Sequence, residues 1–136
     1  MSAPTNIAEV ADIIRSSKKV LAVGAQTKPR LSQCTEDVQL ISMRGISGIL
    51  EYDPGEFTFT AFAGTPLREI VATLATQGQY LPFDPPLVGS GATIGGTVAA
   101  GLSGPGRFAM AGYAILYWPS AFSTGTERNS AAARRW

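Results

Sequence analysis

The sequence contains no histidine and a single cysteine, Cys34, among its 136 residues. One cysteine excludes an internal disulfide and a cysteine-based metal cage, and the absence of histidine removes the commonest metal ligand and general base. Enzymes that depend on a Ser-His-Asp arrangement, a zinc site or a haem are therefore excluded. Cys34 lies in a polar loop, and we interpret it as a residue without a chemical role.

Charged residues are also few. They make up 15% of the chain, and 11 basic residues against 10 acidic ones leave a formal net charge of +1, which gives no reason to expect nucleic acid as a partner. No apolar run approaches a membrane span, and the first residues lack the basic leader and apolar core of a signal peptide. These two features predict a soluble, cytoplasmic protein. Because 45% of the residues are hydrophobic, we also expect a globular domain with a packed core.

Glycine and proline, by contrast, are concentrated in residues 81–106, LPFDPPLVGSGATIGGTVAAGLSGPG. Glycine adopts backbone angles that other residues avoid, and without a Cβ its N–H group can come close to a ligand. A flexible linker would lack the interleaved Leu, Val, Ile and Phe residues. The run therefore predicts a binding surface.

Hydrophobic periodicity predicts an α+β fold, an α/β-like lobe in which a small mixed sheet is flanked by helices. We expect Thr5 to cap the first helix, and Thr65 and Pro66 to begin a second that stops at Gly78. Turn residues 53–56 make the third and fourth strands a hairpin. The predicted helices are 5–18 and 65–78, and the predicted strands are 19–23, 37–41, 48–52 and 57–62.

Two segments are candidate ligand sites. The loop after the first strand combines exposed amides, a hydroxyl and an ammonium that suit a phosphate; its residues are Val23, Gly24, Ala25, Gln26, Thr27 and Lys28. The alternative is an ordinary turn with an exposed lysine. Residues 93–97 favour the start of a helix of small residues whose free N–H groups point at a ligand, and the alternative is a helix that is small because it is closely packed.

A third candidate set consists of acidic residues near turns. Charged residues in such places are mostly solvated, so we interpret them as surface without a role. The set is Glu51, Asp53, Glu56 and Asp84.

In combination, three segments resemble the first half of the FAD-binding domain of the vanillyl-alcohol-oxidase and p-cresol-methylhydroxylase (PCMH) type. They are AVGAQTK at 22–28, GILEYDPGEFTFTAFAGTPLREI at 48–70 and QGQYLPFDPPLVGSGATIGGTVAAGLSGPGR at 77–107. Within that superfamily the AGTPL, LPFDPP and GATIGGTVAAGLSGP motifs are most similar to the FAD-binding subunits of bacterial glycolate oxidases. A D-lactate dehydrogenase of the same fold is a weaker match to LPFDPP.

The resemblance implies FAD as the cofactor, with residues 22–28 around its pyrophosphate and the glycine-rich stretch along the pyrophosphate, ribityl chain and isoalloxazine. The residues implied in that stretch are Pro85, Gly89, Gly91, Ala92, Thr93, Ile94, Gly95, Gly96 and Thr97. No residue of the chain is assigned to catalysis or to a metal, since the flavin carries the redox chemistry. The family also implies a second flavin subunit and an iron–sulfur subunit as partners, and membrane association through that complex.

The resemblance stops after Phe108. We predict that residues 1–108 form the N-terminal lobe of the FAD-binding domain and that residues 109–136 are a poorly ordered tail foreign to the family. Read from the third base of each codon from Ala109 onward, the tail can be recast as family-like sequence, so we hypothesise that one base was lost there. The alternative is an ordinary divergent C-terminus.

Two functions are consistent with the sequence. One is an FAD-binding subunit of a glycolate-oxidase-like 2-hydroxy-acid oxidoreductase. The other is a truncated, catalytically inactive fragment with an incomplete FAD site.

Overall fold

The computed structural model describes residues 1–31, 34 and 36–105, and in these the chain forms three α-helices and two small sheets. Short 3₁₀ turns separate several of the elements. In chain order the elements are α1 Ile7–Ser16, β1 Val20–Val23, β2 Gln39–Ser42, β3 Ile49–Asp53, β4 Thr58–Ala61, α2 Leu67–Ala75 and α3 Ile94–Ala100. The predicted α+β class is confirmed. The predicted out-of-frame tail, residues 109–136, lies outside the described residues.

Helix α1 begins with a variant of the capping box, in which Asn6 rather than the predicted Thr5 is the cap. The Glu9 N–H donates to the Asn6 side-chain oxygen over 2.9 Å, and the Glu9 carboxylate accepts from the Thr5 N–H over 2.7 Å. Asn6 has the extended backbone that a cap residue adopts. Thr5 lies one residue before the cap, and its N–H donates to the Glu9 carboxylate where a standard capping box would use the N–H of the cap residue.

Strands β1 and β2 pair in parallel, with Val20 opposite Gln39 and Val23 opposite Ser42. The chain start extends this pairing, since the Ser2 N–H donates to the Leu40 carbonyl over 2.8 Å on the other side of β2. The loop that follows β1 thus leaves a strand whose position is fixed by its neighbour. This is the loop that the sequence predicts to bind phosphate.

Strands β3 and β4 form the predicted antiparallel hairpin. The Asp53 carboxylate accepts hydrogen bonds from the N–H groups of Gly55 and Glu56, at 3.0 and 3.2 Å, and so fixes the turn. The strand directions are mixed as predicted, but among the described residues they are divided between two sheets, because Ser2 rather than the hairpin borders β2.

The core lies between α2, the start of α3 and one face of the hairpin. It is built from buried Leu67, Ile70, Leu74, Ala92 and Ile94, against which Ile49, Tyr52, Phe59 and Ala61 pack. Three apolar residues of α2, Leu67, Ile70 and Leu74, therefore face the core as the sequence period predicts, while Val71 and Ala75 of the same period are exposed. None of the helices within the described ranges has the length and apolarity needed to cross a bilayer.

The ends of α2 differ from the prediction. Pro66 occupies the cap position, and the Thr65 hydroxyl bonds to Gly48 and to the Phe62 carbonyl instead of capping the helix. The helix ends at Ala75, and Gly78 adopts its left-handed φ of 67° in the turn that follows. Thr65 does not cap because its side chain is already used by the hairpin.

Candidate functional site

A cleft of about 560 Å³ lies between the loop after β1 and one face of α3. This volume is within the range of roughly 300–1,000 Å³ usual for small-molecule sites. Its walls are residues 21–29, Leu31, Cys34, Leu40, Thr93, Gly96, Ala99 and Ala100. The two segments that the sequence singled out separately thus meet in one cavity.

The predicted site residues divide into three groups. All six residues of the loop from Val23 to Lys28 line the cleft, as do Thr93 and Gly96 of the second segment. Ala92, Ile94 and Thr97 are instead buried. The remaining four, Pro85, Gly89, Gly91 and Gly95, are not among the lining residues.

Gly24 and Thr93 are where the two walls touch. A Cβ at position 24 would overlap the Thr93 side-chain oxygen, so only glycine allows this approach. The Thr93 side chain also caps α3 by accepting the Gly96 N–H over 3.3 Å. One hydroxyl thereby fixes both the start of the helix and the position of the loop.

The loop presents unpaired hydrogen-bond donors to the cleft. No residue in the described ranges accepts a hydrogen bond from the backbone N–H of Ala25, Gln26 or Thr27. Gln26 has a left-handed φ of 54°, uncommon for a residue with a side chain, and the half-buried Lys28 brings an ammonium group to the same wall. Clustered amides beside a cation suit a phosphate or pyrophosphate.

Helix α3 does not supply the free amides that the sequence predicted. The N–H groups of Ile94 and Gly95 donate to the carbonyls of Thr65 and Ala63, both over 2.9 Å. Those of Gly96 and Thr97 donate to the side chain and the carbonyl of Thr93. The prediction of free amides is therefore wrong for this turn, because neighbouring backbone already accepts from it.

Adjacent positions on α3 account for both interpretations of this segment. Ile94 and Thr97 are 1% and 2% exposed, as in a closely packed helix, while Thr93, itself only 3% exposed, lines the cleft together with Gly96. The Thr97 hydroxyl oxygen is buried and has no hydrogen-bond partner among the described residues.

The acidic set is exposed, as predicted. All four side chains are at the surface: Glu51, Asp53, Glu56 and Asp84. The Asp53 carboxylate accepts a hydrogen bond from the Gly55 N–H within the hairpin turn. Gly89 and Gly91 also face open space, since a Cβ at either would meet no atom within 4 Å.

The leucines that line the cleft were not predicted from the sequence. Leu21 and Leu40 are partners in the parallel register of β1 and β2, and Leu31 follows on the loop. Their alternation within short strands was visible, but the pairing that places them side by side was not. Cys34 is exposed at the same cleft.

A cleft lined by hydrogen-bond donors and by leucines, with a close approach of two backbone segments, is typical of a nucleotide-binding protein, here of the α+β class. The residues fit FAD, which has a pyrophosphate between two flat ring systems. The unpartnered amides suit the pyrophosphate, and the leucines suit one of the rings.

Comparison with known families shows the family to which the chain belongs. The chain belongs to the FAD binding domain family, whose profile matches residues 1–116, and FAD is its cofactor. The predicted family is thereby confirmed. The matched range runs past Phe108 to residue 116. The match does not bear on the reading frame, and the proposed frame change stays a prediction.

Among curated proteins, the chain is similar to the glycolate oxidase subunit GlcE of Escherichia coli (strain K12). The two are 51% identical over 69 residues, which is 51% of this chain and 20% of that protein. The match thus spans about a fifth of the relative's length. No solved structure matches the chain.

Proposed function

We propose that this chain holds FAD as part of a flavin subunit of a glycolate-oxidase-like 2-hydroxy-acid oxidoreductase. The observation that carries the proposal is the meeting of the Val23–Lys28 loop with Thr93 and Gly96 in one cleft of ligand size. Membership of the FAD binding domain family and the identity to a glycolate oxidase subunit support it.

The Val23–Lys28 loop binds the pyrophosphate in this proposal. The N–H groups of Ala25, Gln26 and Thr27 donate to phosphate oxygens, and the Lys28 ammonium offsets their charge. The leucines that line the cleft contact one of the flat rings. FAD, when bound, supplies the redox chemistry that no side chain of this chain provides.

The glycine-rich stretch completes the site in the same proposal. Pro85, Gly89 and Gly91 lie along the flavin. Thr93 and Gly96 lie between these residues and the Val23–Lys28 loop that binds the pyrophosphate. Ala92, Ile94, Gly95 and Thr97 hold that segment in place from the buried side.

The wider assignment follows from the family alone. We propose residues 1–108 as the N-terminal lobe of the FAD-binding domain, a second flavin subunit and an iron–sulfur subunit as partners, and a cytoplasmic location with membrane contact through them. The nucleotide sequence tests the proposed tail, because restoring one base after the Phe108 codon must open a long family-like frame.

A second candidate function is an inactive fragment with an incomplete FAD site. It is favoured by one observation, that Pro85, Gly89 and Gly91 are not in the lining of the cleft formed by the Val23–Lys28 loop, Thr93 and Gly96.

Titration of the purified 136-residue chain with FAD, followed by quenching of flavin fluorescence, tests the proposal. We expect one FAD per chain and competition by ADP, which carries the pyrophosphate without the flavin. Riboflavin, which lacks the pyrophosphate, is the control and should bind far more weakly. Absence of FAD binding would favour the inactive fragment, and equal affinity for riboflavin would contradict the pyrophosphate assignment.

A further inference from the structure

We propose that Thr65 is a positioning residue that sets the place of the Thr93–Thr97 segment, and hence the affinity for FAD. The inference rests on the proposed function, because it takes this segment as part of the cofactor site. Thr65 lies in the junction between β4 and α2, outside the cleft and outside the residues predicted to bind.

The Thr65 hydroxyl both accepts and donates hydrogen bonds. It is fully buried, and its hydroxyl oxygen accepts the Gly48 N–H over 2.9 Å. The same oxygen lies 2.7 Å from the Phe62 carbonyl and 3.0 Å from the Gly48 carbonyl, so its single proton is shared between two acceptors. These bonds tie the junction to the open end of the hairpin.

The backbone of the same junction holds the start of α3. The Thr65 carbonyl accepts from Ile94 and the Ala63 carbonyl accepts from Gly95, while the Leu67 N–H donates back to the Ala92 carbonyl over 2.8 Å. Three backbone bonds thus connect residues 63–67 with residues 92–95. The geometry that the hydroxyl imposes on the junction is passed to the helix through these bonds.

Side-chain packing allows little movement at this contact. A Cβ added to Gly95 would lie 2.7 Å from the Ala63 Cβ and 2.8 Å from its carbonyl oxygen. The residues on either side of the docked pair Ile94 and Gly95 are Thr93 and Gly96, which line the cleft. A shift of the junction therefore changes the distance between Thr93 and Gly24.

A purely structural role for Thr65 predicts a different result. Loss of the hydroxyl would then lower the stability of the whole chain and leave the folded fraction with unchanged FAD affinity. The positioning role predicts instead a local effect on the amides of Ile94 and Gly95, and a weaker FAD complex in protein that remains folded.

The test compares Thr65→Val, which keeps the shape but removes the hydroxyl, with Thr65→Ser, which restores it. Amide hydrogen exchange of the apo-protein is followed by NMR, and the FAD dissociation constant by fluorescence quenching. Thr73→Val is the matched control, since the Thr73 hydroxyl bonds only to the Glu69 carbonyl within α2 among the described residues.

In Thr65→Val we expect amide exchange to accelerate more at Ile94 and Gly95 than at the other residues of α2 and α3. We also expect the FAD dissociation constant to rise about tenfold. Thr65→Ser should return both towards the unchanged protein, and Thr73→Val should alter neither. Unchanged exchange and affinity in folded Thr65→Val overturn the inference, as does Thr65→Ser binding as weakly as Thr65→Val.

Two further arms keep the inference testable. If Thr65→Val does not fold, Gly95→Ala pushes α3 away from Ala63 with the hydroxyl intact, and unchanged FAD affinity in that variant overturns the inference. If the unchanged chain binds no FAD, the proposed function fails, and the exchange rates of Ile94 and Gly95 still decide whether Thr65 positions the segment.

Discussion

The side-chain oxygen of Thr93 fills the space that a Cβ of residue 24 would need. The two residues lie in segments far apart in the sequence, and each segment carries part of the proposed cofactor site. Their contact sets the width of the cleft at the point where loop and helix meet. Glycine is required at position 24 because of this neighbour, independently of any ligand.

Gly24→Ala is expected to weaken FAD binding about tenfold or more, because the new methyl group displaces the Thr93 side chain from the cleft wall. Overpacking should also lower the free energy of unfolding by about 1–3 kcal/mol. Fluorescence titration and urea denaturation measure the two effects. Gly55→Ala, in the exposed hairpin turn, is the control, and FAD affinity of Gly24→Ala equal to that of the control would contradict the role of this contact.

Lys28→Gln is expected to weaken FAD binding by about tenfold, since a charge-assisted hydrogen bond to phosphate is lost. The dependence of the dissociation constant on salt concentration should also decrease, because one cation no longer faces the ligand. Lys18→Gln, at an exposed position between α1 and β1, removes an equal charge away from the cleft. If both variants lose affinity equally, Lys28 has no local role.

The sequence was sufficient for local features and for the family. The Asp53 turn, the hairpin and the inward face of α2 follow from residue types and period, and the glycine-rich motifs carry the family resemblance. The hydrogen-bond partners of individual polar groups could not be predicted from the sequence. The sequence predicts that Ile94 and Gly95 begin a helix with free N–H groups, but in the fold these groups donate to the carbonyls of Thr65 and Ala63. The sequence likewise predicts Thr65 as a helix cap, but its hydroxyl bonds to Gly48 instead. Long-range pairing decides both cases, and no local pattern encodes it.

Acid is expected to weaken helix α1 through Glu9. The N–H of Thr5 donates to the Glu9 carboxylate and, with the side chains of Asn6 and Thr5, holds the pKa of Glu9 below its ordinary value of 4.5. A lowered pKa in the folded chain stabilises it at pH values above the unfolded pKa. This contribution is lost as the pH falls through the folded value.

Two-dimensional NMR titration of the Glu9 carboxyl group, together with the amide signals of Thr5 and Glu9, measures this effect. Glu9→Gln should remove the acid-dependent change at the start of α1, while Glu51→Gln, at an exposed position of β3, should leave it in place. Persistence of the transition in Glu9→Gln would assign it to another group.

The substitution Gly89→Ala distinguishes an effect on folding from an effect on ligand contact in the glycine-rich stretch. Gly89 has ordinary backbone angles, is exposed, and has no atom within 4 Å of an added Cβ, so the substitution should leave the free energy of unfolding of the apo-protein within about 0.5 kcal/mol. If the flavin lies along this segment as proposed, the methyl group occupies the ligand's space, and FAD binding should weaken while ADP competition at the loop is unchanged. Thermal denaturation of the apo-protein and parallel titrations with FAD and ADP give the three quantities. Unaltered FAD affinity would place the flavin away from Gly89 and restrict the site to the cleft between the loop and α3.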